Sequence, residues 1–372
     1  SLLKGRGNYL CPRRLTLMRR RKLETADELR VLAKVLVWLQ HSASGDRAEI
    51  NLNGPVERMV WSRMSAEDEG CKLETCLKRS GGRCPFYKAR TSAEGAHIVV
   101  VNHALLLADA ATENRVLPAY NYLIVDEAHH MEAATTDAMS FRLRAVDVSR
   151  LVRELGSTEQ GLMGRLLKLS EDLLKPADLA ALTNAVEIAT DKAFHFDTEM
   201  TAYFKALDYL LEEVRDGKPL GTYPQQERIQ PATRTLPAWM DVELAWEQAR
   251  EDLDDLQAQL KIIREGLRGL AESEVEDAED LLGTLGTMYG GLQEIGTNVD
   301  SLTMSPEIDQ IYWVELDPLQ HRLTLQIAPL HIGRLMEKYL WHEKTSIVLT
   351  SATLTTQGEF DYLRERLNAE DA

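Results

Sequence analysis

Residues Tyr122-Leu123-Ile124-Val125 form a short apolar run that stops at Asp126-Glu127-Ala128-His129-His130. Such a run reads as a buried strand of a parallel sheet, and acids at its C-terminal end would stand in the crevice where open α/β sheets take ligands. A comparable run, Ser346-Ile347-Val348-Leu349-Thr350, leads into Ser351-Ala352-Thr353-Leu354. Upstream, His97-Ile98-Val99-Val100-Val101-Asn102 reads as another buried strand, followed by a helix or turn at His103-Ala104-Leu105-Leu106-Leu107. Strand, helix and strand in this order predict an α/β domain.

The chemistry of the acidic box has two readings. In a nucleotide hydrolase, Asp126 would hold magnesium, often through water, and Glu127 would orient and deprotonate the attacking water. His129 would then link the nucleotide site to a neighbouring motif. The plainer reading has Asp126 and Glu127 capping the next helix, His129 and His130 in solvent, and Ser351 as an ordinary helix N-cap. Two strands in one chain, each running into such a motif, favour the first.

The cysteines are Cys11, Cys71, Cys76 and Cys84. Four thiolates suit tetrahedral zinc or a [4Fe–4S] cluster. Zinc sites usually use close pairs such as Cys-x2-Cys, which this set lacks, so the spacing favours iron–sulfur over zinc, with uncoordinated thiols a third reading. The residues around Cys71–Cys84 are poor in apolar side chains, so a metal would supply much of their order. A disulfide framework is disfavoured, because the chain opens without a signal-peptide pattern and reads as cytoplasmic.

A net charge of −16 argues against nucleic-acid binding over the whole surface. Residues 1–22 nevertheless hold eight basic residues and no acid, among them Lys4, Arg6, Arg13 and Arg14. This patch can meet phosphates or be a solvated face. No apolar run reaches membrane-spanning length.

Helical spacing is expected over 23–41, with Leu23, Leu29, Leu32, Val35, Leu36 and Leu39 on one side, and through most of 143–302. There Leu253, Leu256, Leu260, Ile263, Leu267 and Leu270 alternate steps of three and four, a seam for a neighbouring helix. Leu281, Leu282, Leu285, Met288, Leu292 and Ile295 could supply the partner, although Gly283, Gly286, Gly290 and Gly291 weaken that helix. The stretch Pro219–Pro237 reads as a loop. Strand texture returns at 310–316 and 323–328. The helical block therefore reads as an insertion into the α/β domain.

In combination these features resemble the DinG-type, XPD-like iron–sulfur helicases of superfamily 2. Leu3-Lys4-Gly5-Arg6-Gly7-Asn8-Tyr9-Leu10-Cys11 is similar to the segment leading into that family's first cluster cysteine, and Cys84-Pro85-Phe86-Tyr87 to its last ligand. Val100-Val101-Asn102-His103-Ala104-Leu105-Leu106 resembles the strand before its Walker B box, Asp126-Glu127-Ala128-His129 the box itself, and Thr350-Ser351-Ala352-Thr353-Leu354 its motif III. The resemblance implies an α/β fold, a partial RecA-like P-loop motor domain over 1–10, 90–144 and 303–372. Into it would be inserted a small iron–sulfur domain over 11–89 and a mostly helical arch domain over 145–302.

It further implies an ATP-dependent helicase moving 5′ to 3′ on single-stranded DNA, with forked DNA as substrate and no membrane partner. Asp126 and Glu127 would bind Mg2+ and ATP, and Asp126, Glu127, His129, Ser351 and Thr353 would serve catalysis. Cys11, Cys71, Cys76 and Cys84 would hold a [4Fe–4S] cluster, and Lys4, Arg6, Arg13 and Arg14 would grip DNA. Tyr9, Phe86 and Tyr87 could stack on a base or pack in the core. A monomer is expected. No Gly-x-x-x-x-Gly-Lys-Ser/Thr phosphate loop occurs in the chain and no second RecA-like domain follows Thr353. The chain thus reads as an internal segment, inactive alone. The alternative is a non-catalytic DNA-binding or partner-docking module with a structural metal centre, and a zinc-stabilised scaffold with a fortuitous acidic box is a third reading.

Overall fold

The computed structural model describes residues 1–20, 25–67, 83–111, 116–171, 173–216, 218, 221, 223–271, 276–355 and 358–369. Its described strands are β1 (Tyr122–Val125), β2 (Phe141–Leu143), β3 (Gln225–Arg228), β4 (Gln310–Asp317), β5 (Arg322–Pro329) and β6 (Ser346–Leu349). They belong to two sheets, one in each of two compact units: Ser1–Ala138 with Ile332–Ala372, and Met139–His331.

In the first unit β1 and β6 pair in parallel, with Tyr122 opposite Ser346 and Val125 opposite Leu349. Two further bonds carry the ladder past the strand ends. The Thr350 N–H donates to the Val125 carbonyl at 2.9 Å, and the Ala128 N–H donates to the Thr350 carbonyl at 3.0 Å. One face of this pair is core, where Val125, Leu123, Ile347 and Leu349 meet Leu3, Leu105, Leu106, Leu107, Met131, Met336 and Leu340. The other face is open: Tyr122 is 73% exposed, Ile124 72% and Val348 51%. The expected burial on both faces thus holds for one, because no described element lies across the other.

The run at 97–102 forms no strand. It lies extended along the N-terminus, with Leu3 N–H donating to the Val100 carbonyl at 3.0 Å and Val100 N–H to the Ser1 carbonyl at 2.7 Å. Its alternation matches that of β1: Val99 and Val101 face the core, while Ile98 and Val100 are exposed.

Three helices, α1 (Pro12–Arg20), α2 (Ala26–Leu39) and α3 (Pro55–Ser62), form a second core around Leu15, Met18, Val31, Leu32, Val35, Val60 and Trp61. Helix α2 starts at Thr25, whose hydroxyl accepts the Glu28 N–H, satisfying a donor that has no partner inside the helix. Leu29, expected on the apolar side, is exposed. A small third cluster joins Tyr9, Cys11, Ala66, Cys84 and Phe86 where α4 (Pro85–Glu94) begins. Two more helices of this unit, α5 (His103–Ala111) and α6 (Met131–Met139), flank β1 in sequence.

The second unit is an antiparallel sheet, ordered β2-β5-β4-β3, with the helices α7 (Ala145–Leu155), α8 (Gly161–Glu171), α9 (Pro176–Arg215), α10 (Pro237–Ala271) and α11 (Glu276–Thr303). The strands at 310–317 and 322–329, which the sequence pattern grouped with the α/β domain, pair instead with β2 and β3 in this separate sheet. Strand β3 falls inside the stretch expected to be a loop, where Gln225–Arg228 pairs with Trp313–Leu316. The entry and exit strands of the unit are neighbours, Phe141 standing opposite Ile327. The Arg142 Nε–H also donates to Gln326 Oε1 at 3.0 Å, so the neck of the insertion is closed by its own hydrogen bonds.

The seam read from the sequence on α10 is buried, Leu253, Leu256, Leu260, Ile263 and Leu267 each being at most 2% exposed. Its most extensive partner is α9, with α11 a second neighbour. Lys192 on α9 ties the hairpin by reaching Asp252 at 3.0 Å and Asp255 at 2.8 Å. On α11 a glycine serves packing, because a Cβ at Gly296 would come within 3.0 Å of Leu253 Cδ2. Tyr203 and Trp246 meet edge-on at 6.1 Å in this core. Burial pushes the Tyr203 phenol well above its ordinary range, so it acts as a neutral hydroxyl bonded to Thr303 at 2.8 Å. No helix among the described residues is long and apolar enough to cross a membrane.

Replacing fully buried Leu256 by Ala removes packing from the α9–α10 seam and is expected to cost about 2–5 kcal/mol. Replacing exposed Met240 on the same helix by Ala is expected to change stability by less than about 0.5 kcal/mol. Urea unfolding monitored by far-ultraviolet circular dichroism checks both.

Candidate active site

The parallel pairing of β1 with β6 sets two strand ends side by side, and the residues just beyond them form the site. After Asp126 the backbone turns sharply at Glu127, whose φ of 53° and ψ of 43° are left-handed. A one-turn 3₁₀ helix, Ala128–His130, follows and continues into α6. Ala128 is wholly buried beneath the turn.

Side chains from the two strand ends meet here. The Ser351 hydroxyl lies 3.2 Å from Glu127 Oε2 and 2.6 Å from His129 Nδ1. His129 Nδ1 is also 3.2 Å from Glu127 Oε2. A carboxylate only accepts, so Ser351 donates to Glu127 and receives the Nδ1–H of His129, with the Thr353 N–H a longer third contact at 3.5 Å. This arrangement puts a proton on His129 Nδ1, and Nε2 is on the opposite side of the ring. The His129 and His130 rings lie against one another, centroids 3.8 Å apart. Asp126 is exposed at the strand tip, and its Oδ1 accepts the N–H of Glu127 at 3.0 Å.

The structure therefore brings Glu127, His129 and Ser351 into one hydrogen-bonded group with Asp126 beside it. Thr353 joins through its backbone N–H. One participant was not assigned a role from sequence: His103, the first residue of α5, donates from Nε2 to the Asp126 carbonyl at 2.9 Å. It sits inside the Val100–Leu106 run, but a histidine at a helix start carries no pattern that marks its partner.

The sulfur donors are described in part. Cys11 and Cys84 are both buried, 4% and 2% exposed, in the cluster with Tyr9, Ala66 and Phe86. Cys84 also caps α4, ahead of Pro85. Cys71 and Cys76 lie outside the described residues, and among the described residues no three His, Cys, Asp or Glu side chains gather as a metal-binding group. Cys11 and Cys84, from distant parts of the chain, thus share one small buried cluster.

The four basic residues singled out in the N-terminal segment are half-buried. Lys4 Nζ is paired with Asp46 at 2.6 Å. Arg14 Nη1 donates to the carbonyls of Ser65 at 3.1 Å and Glu67 at 2.8 Å. Arg6 stacks its guanidinium over the Phe86 ring, 5.2 Å from the centroid. Arg13 lies on α1. Tyr9 and Phe86 are core residues, their rings 5.8 Å apart.

Comparison of the sequence with known proteins finds several relatives. The DEAD_2 family matches residues 62–148. The chain is 26% identical to the 3′-5′ exonuclease DinG of Bacillus subtilis, over 100% of this chain and 39% of that protein. It is 25% identical to the ATP-dependent DNA helicase DinG of Photobacterium profundum, over 82% of this chain and 41% of that protein. It is also 25% identical to the ATP-dependent DNA helicase YoaA of Haemophilus influenzae, over 100% of this chain and 50% of that protein. The chain thus spans half the length or less of these curated relatives. A solved XPD helicase aligns over 99% of this chain and 47% of its own at 12% identity and a TM-score of 0.38, a likeness too slight to carry the fold.

Proposed function

The chain is a relative of the DinG-type, XPD-like helicases, and on that premise we propose that it supplies part of an ATP-driven DNA helicase motor. The observation that supports this reading most is the meeting of Glu127, His129 and Ser351 within 3.2 Å at the ends of two parallel strands. Asp126 stands exposed at the tip of β1, where its carboxylate can hold Mg2+ on the phosphates of ATP. Glu127 orients the attacking water and takes its proton. Ser351, held by both Glu127 and His129, keeps that carboxylate aimed and couples the two strand ends. Thr353 reaches the same hydroxyl through its backbone.

The remaining parts of the reading follow the family resemblance. Cys11, Cys71, Cys76 and Cys84 are the proposed ligands of a [4Fe–4S] cluster, supported by the burial of Cys11 and Cys84 in one small core. When bound, such a cluster would cross-link a segment poor in apolar residues. Lys4, Arg6, Arg13 and Arg14 beside Cys11 form the proposed phosphate track for single-stranded and forked DNA, with 5′ to 3′ movement. Lys4 and Arg14 shape that track as much as they charge it, since each already holds a protein partner. The helical unit Met139–His331 is the proposed arch.

In a protein of the relatives' length that carries this chain, Glu127→Gln is expected to lower DNA-stimulated ATP turnover by about 10²-fold or more while nucleotide binding persists. Turnover by the 372-residue chain alone, which has no phosphate loop, is expected to be nil in the same coupled assay. Unchanged turnover in the Glu127 variant contradicts the assignment.

Protein purified without oxygen is expected to contain about four irons per chain with a broad visible absorption band, and Cys11→Ser to lose both. Zinc in place of iron overturns the cluster assignment.

A further inference from the structure

Four described non-glycine residues have positive φ: Glu127, Asp216, His321 and Asn368. Asp, His and Asn are the types that tolerate this region, and Asp216 and Asn368 close helices. Glutamate has no such tolerance, so the left-handed turn at Glu127 has to be imposed by its surroundings. The relaxed alternative is a rotation of the peptide plane between Asp126 and Glu127. That rotation would return φ of Glu127 to negative values, and the readjustment of ψ needed to reach an allowed pair from 43° would then move its side chain relative to the turn that follows.

Both ends of this peptide unit are tied. Its N–H donates to Asp126 Oδ1 at 3.0 Å, a bond within the turn itself. Its carbonyl accepts from His103 Nε2 at 2.9 Å, a bond from a different element. A carbonyl only accepts, so Nε2 of His103 carries a proton. The ring is itself placed by the start of α5, where Asn102 Oδ1 accepts the Leu105 N–H at 3.0 Å. Rotating the peptide plane would turn the carbonyl away from His103 and break this bond.

We propose that His103 is a positioning residue: its Nε2–H holds the Asp126–Glu127 peptide plane so that Glu127 stays left-handed and its carboxylate stays on Ser351 and His129. Its kinetic consequence rests on the ATP-hydrolysis reading, whereas its structural consequence does not. His103 touches neither nucleotide nor water in this scheme. It acts through the aim of Glu127.

The test uses the full-length protein carrying this chain, with His103→Ala and His103→Met, which cannot donate, and His103→Gln, whose amide nitrogen can. Melting curves first establish that each variant folds. Crystal structures of the variants are expected to show Glu127 leaving positive φ and losing its contact with Ser351 in the Ala and Met variants, and keeping both in the Gln variant. In DNA-stimulated ATP hydrolysis the Ala and Met variants are expected to lose about tenfold or more in kcat, with KM for ATP changed less than about twofold, and Gln to recover most of the loss. Glu127 retaining its φ and its Ser351 contact in the non-donor variants overturns the proposal, whatever the turnover. Equal kcat loss in all three variants overturns it too, because a merely structural histidine would not be rescued by a donor. Glu127→Gln, run alongside, separates the two ideas: full turnover in that variant defeats the hydrolysis reading, whereas its loss with normal kcat in His103→Ala and His103→Met defeats the His103 proposal alone.

Discussion

The parallel register of β1 on β6 is the constraint on which the candidate site depends. Glu127 and Ser351 are 224 residues apart in the chain, yet their contact follows directly from placing Val125 opposite Leu349. A slip of one residue would turn each strand's inward side chains outward and separate the two motifs. The bonds Thr350 N–H to Val125 and Ala128 N–H to Thr350 fix the register at the point where it matters, one step past the strands. The apolar face beneath, from Leu123, Val125, Ile347 and Leu349, gives the pairing its free energy by burial. The polar group above it is what that burial positions.

Such a long-range pairing carries an entropic cost, and the inserted unit reduces it. Closing a flexible loop of that length costs about 5 kcal/mol plus a constant. The unit Met139–His331 has its own core, built on the α9–α10 hairpin, and its first and last strands pair as Phe141 opposite Ile327. Once that neck forms, β1 and β6 are joined by a loop of about 35 residues, a saving of about 1.5 kcal/mol. The insertion therefore folds as a closed appendix to the small parallel sheet. This also explains why β5 belongs with the helices: its register with β2 makes the neck, and β4 pairs with it in the same sheet.

Much of the site could be read from residues alone, because its signal is local. An apolar run ending in Asp126-Glu127-Ala128-His129 and another ending in Ser351-Ala352-Thr353 each announce a strand tip, and the steps of three and four on α10 announce its buried seam. The features that were missed depend on contacts no local pattern encodes. The alternation at 98–101 was compatible with a strand, but pairing with only the N-terminal residues leaves it a single bridge. Gln225–Arg228 lacks β-branched residues and becomes a strand through its partner, β4. Leu29 completes a helical face on paper but is exposed, whereas Val31, Leu32 and Val35 of the same helix are buried and Leu36 and Leu39 pack against them. The basic segment read as a free patch, whereas Lys4 and Arg14 find Asp46, Ser65 and Glu67 at long sequence distance. His103 was hidden for the same reason: its partner is a backbone carbonyl.

The central claim is that Glu127 and Ser351 act as one unit across the β1–β6 pairing. A double-mutant cycle on kcat for ATP, with Glu127→Gln, Ser351→Ala and the pair in a full-length protein carrying this chain, tests it most directly. The account predicts strong non-additivity, the double variant being little slower than Glu127→Gln alone, with a coupling of about 1 kcal/mol or more. Fully additive losses would mean that the two side chains act independently, and would contradict it.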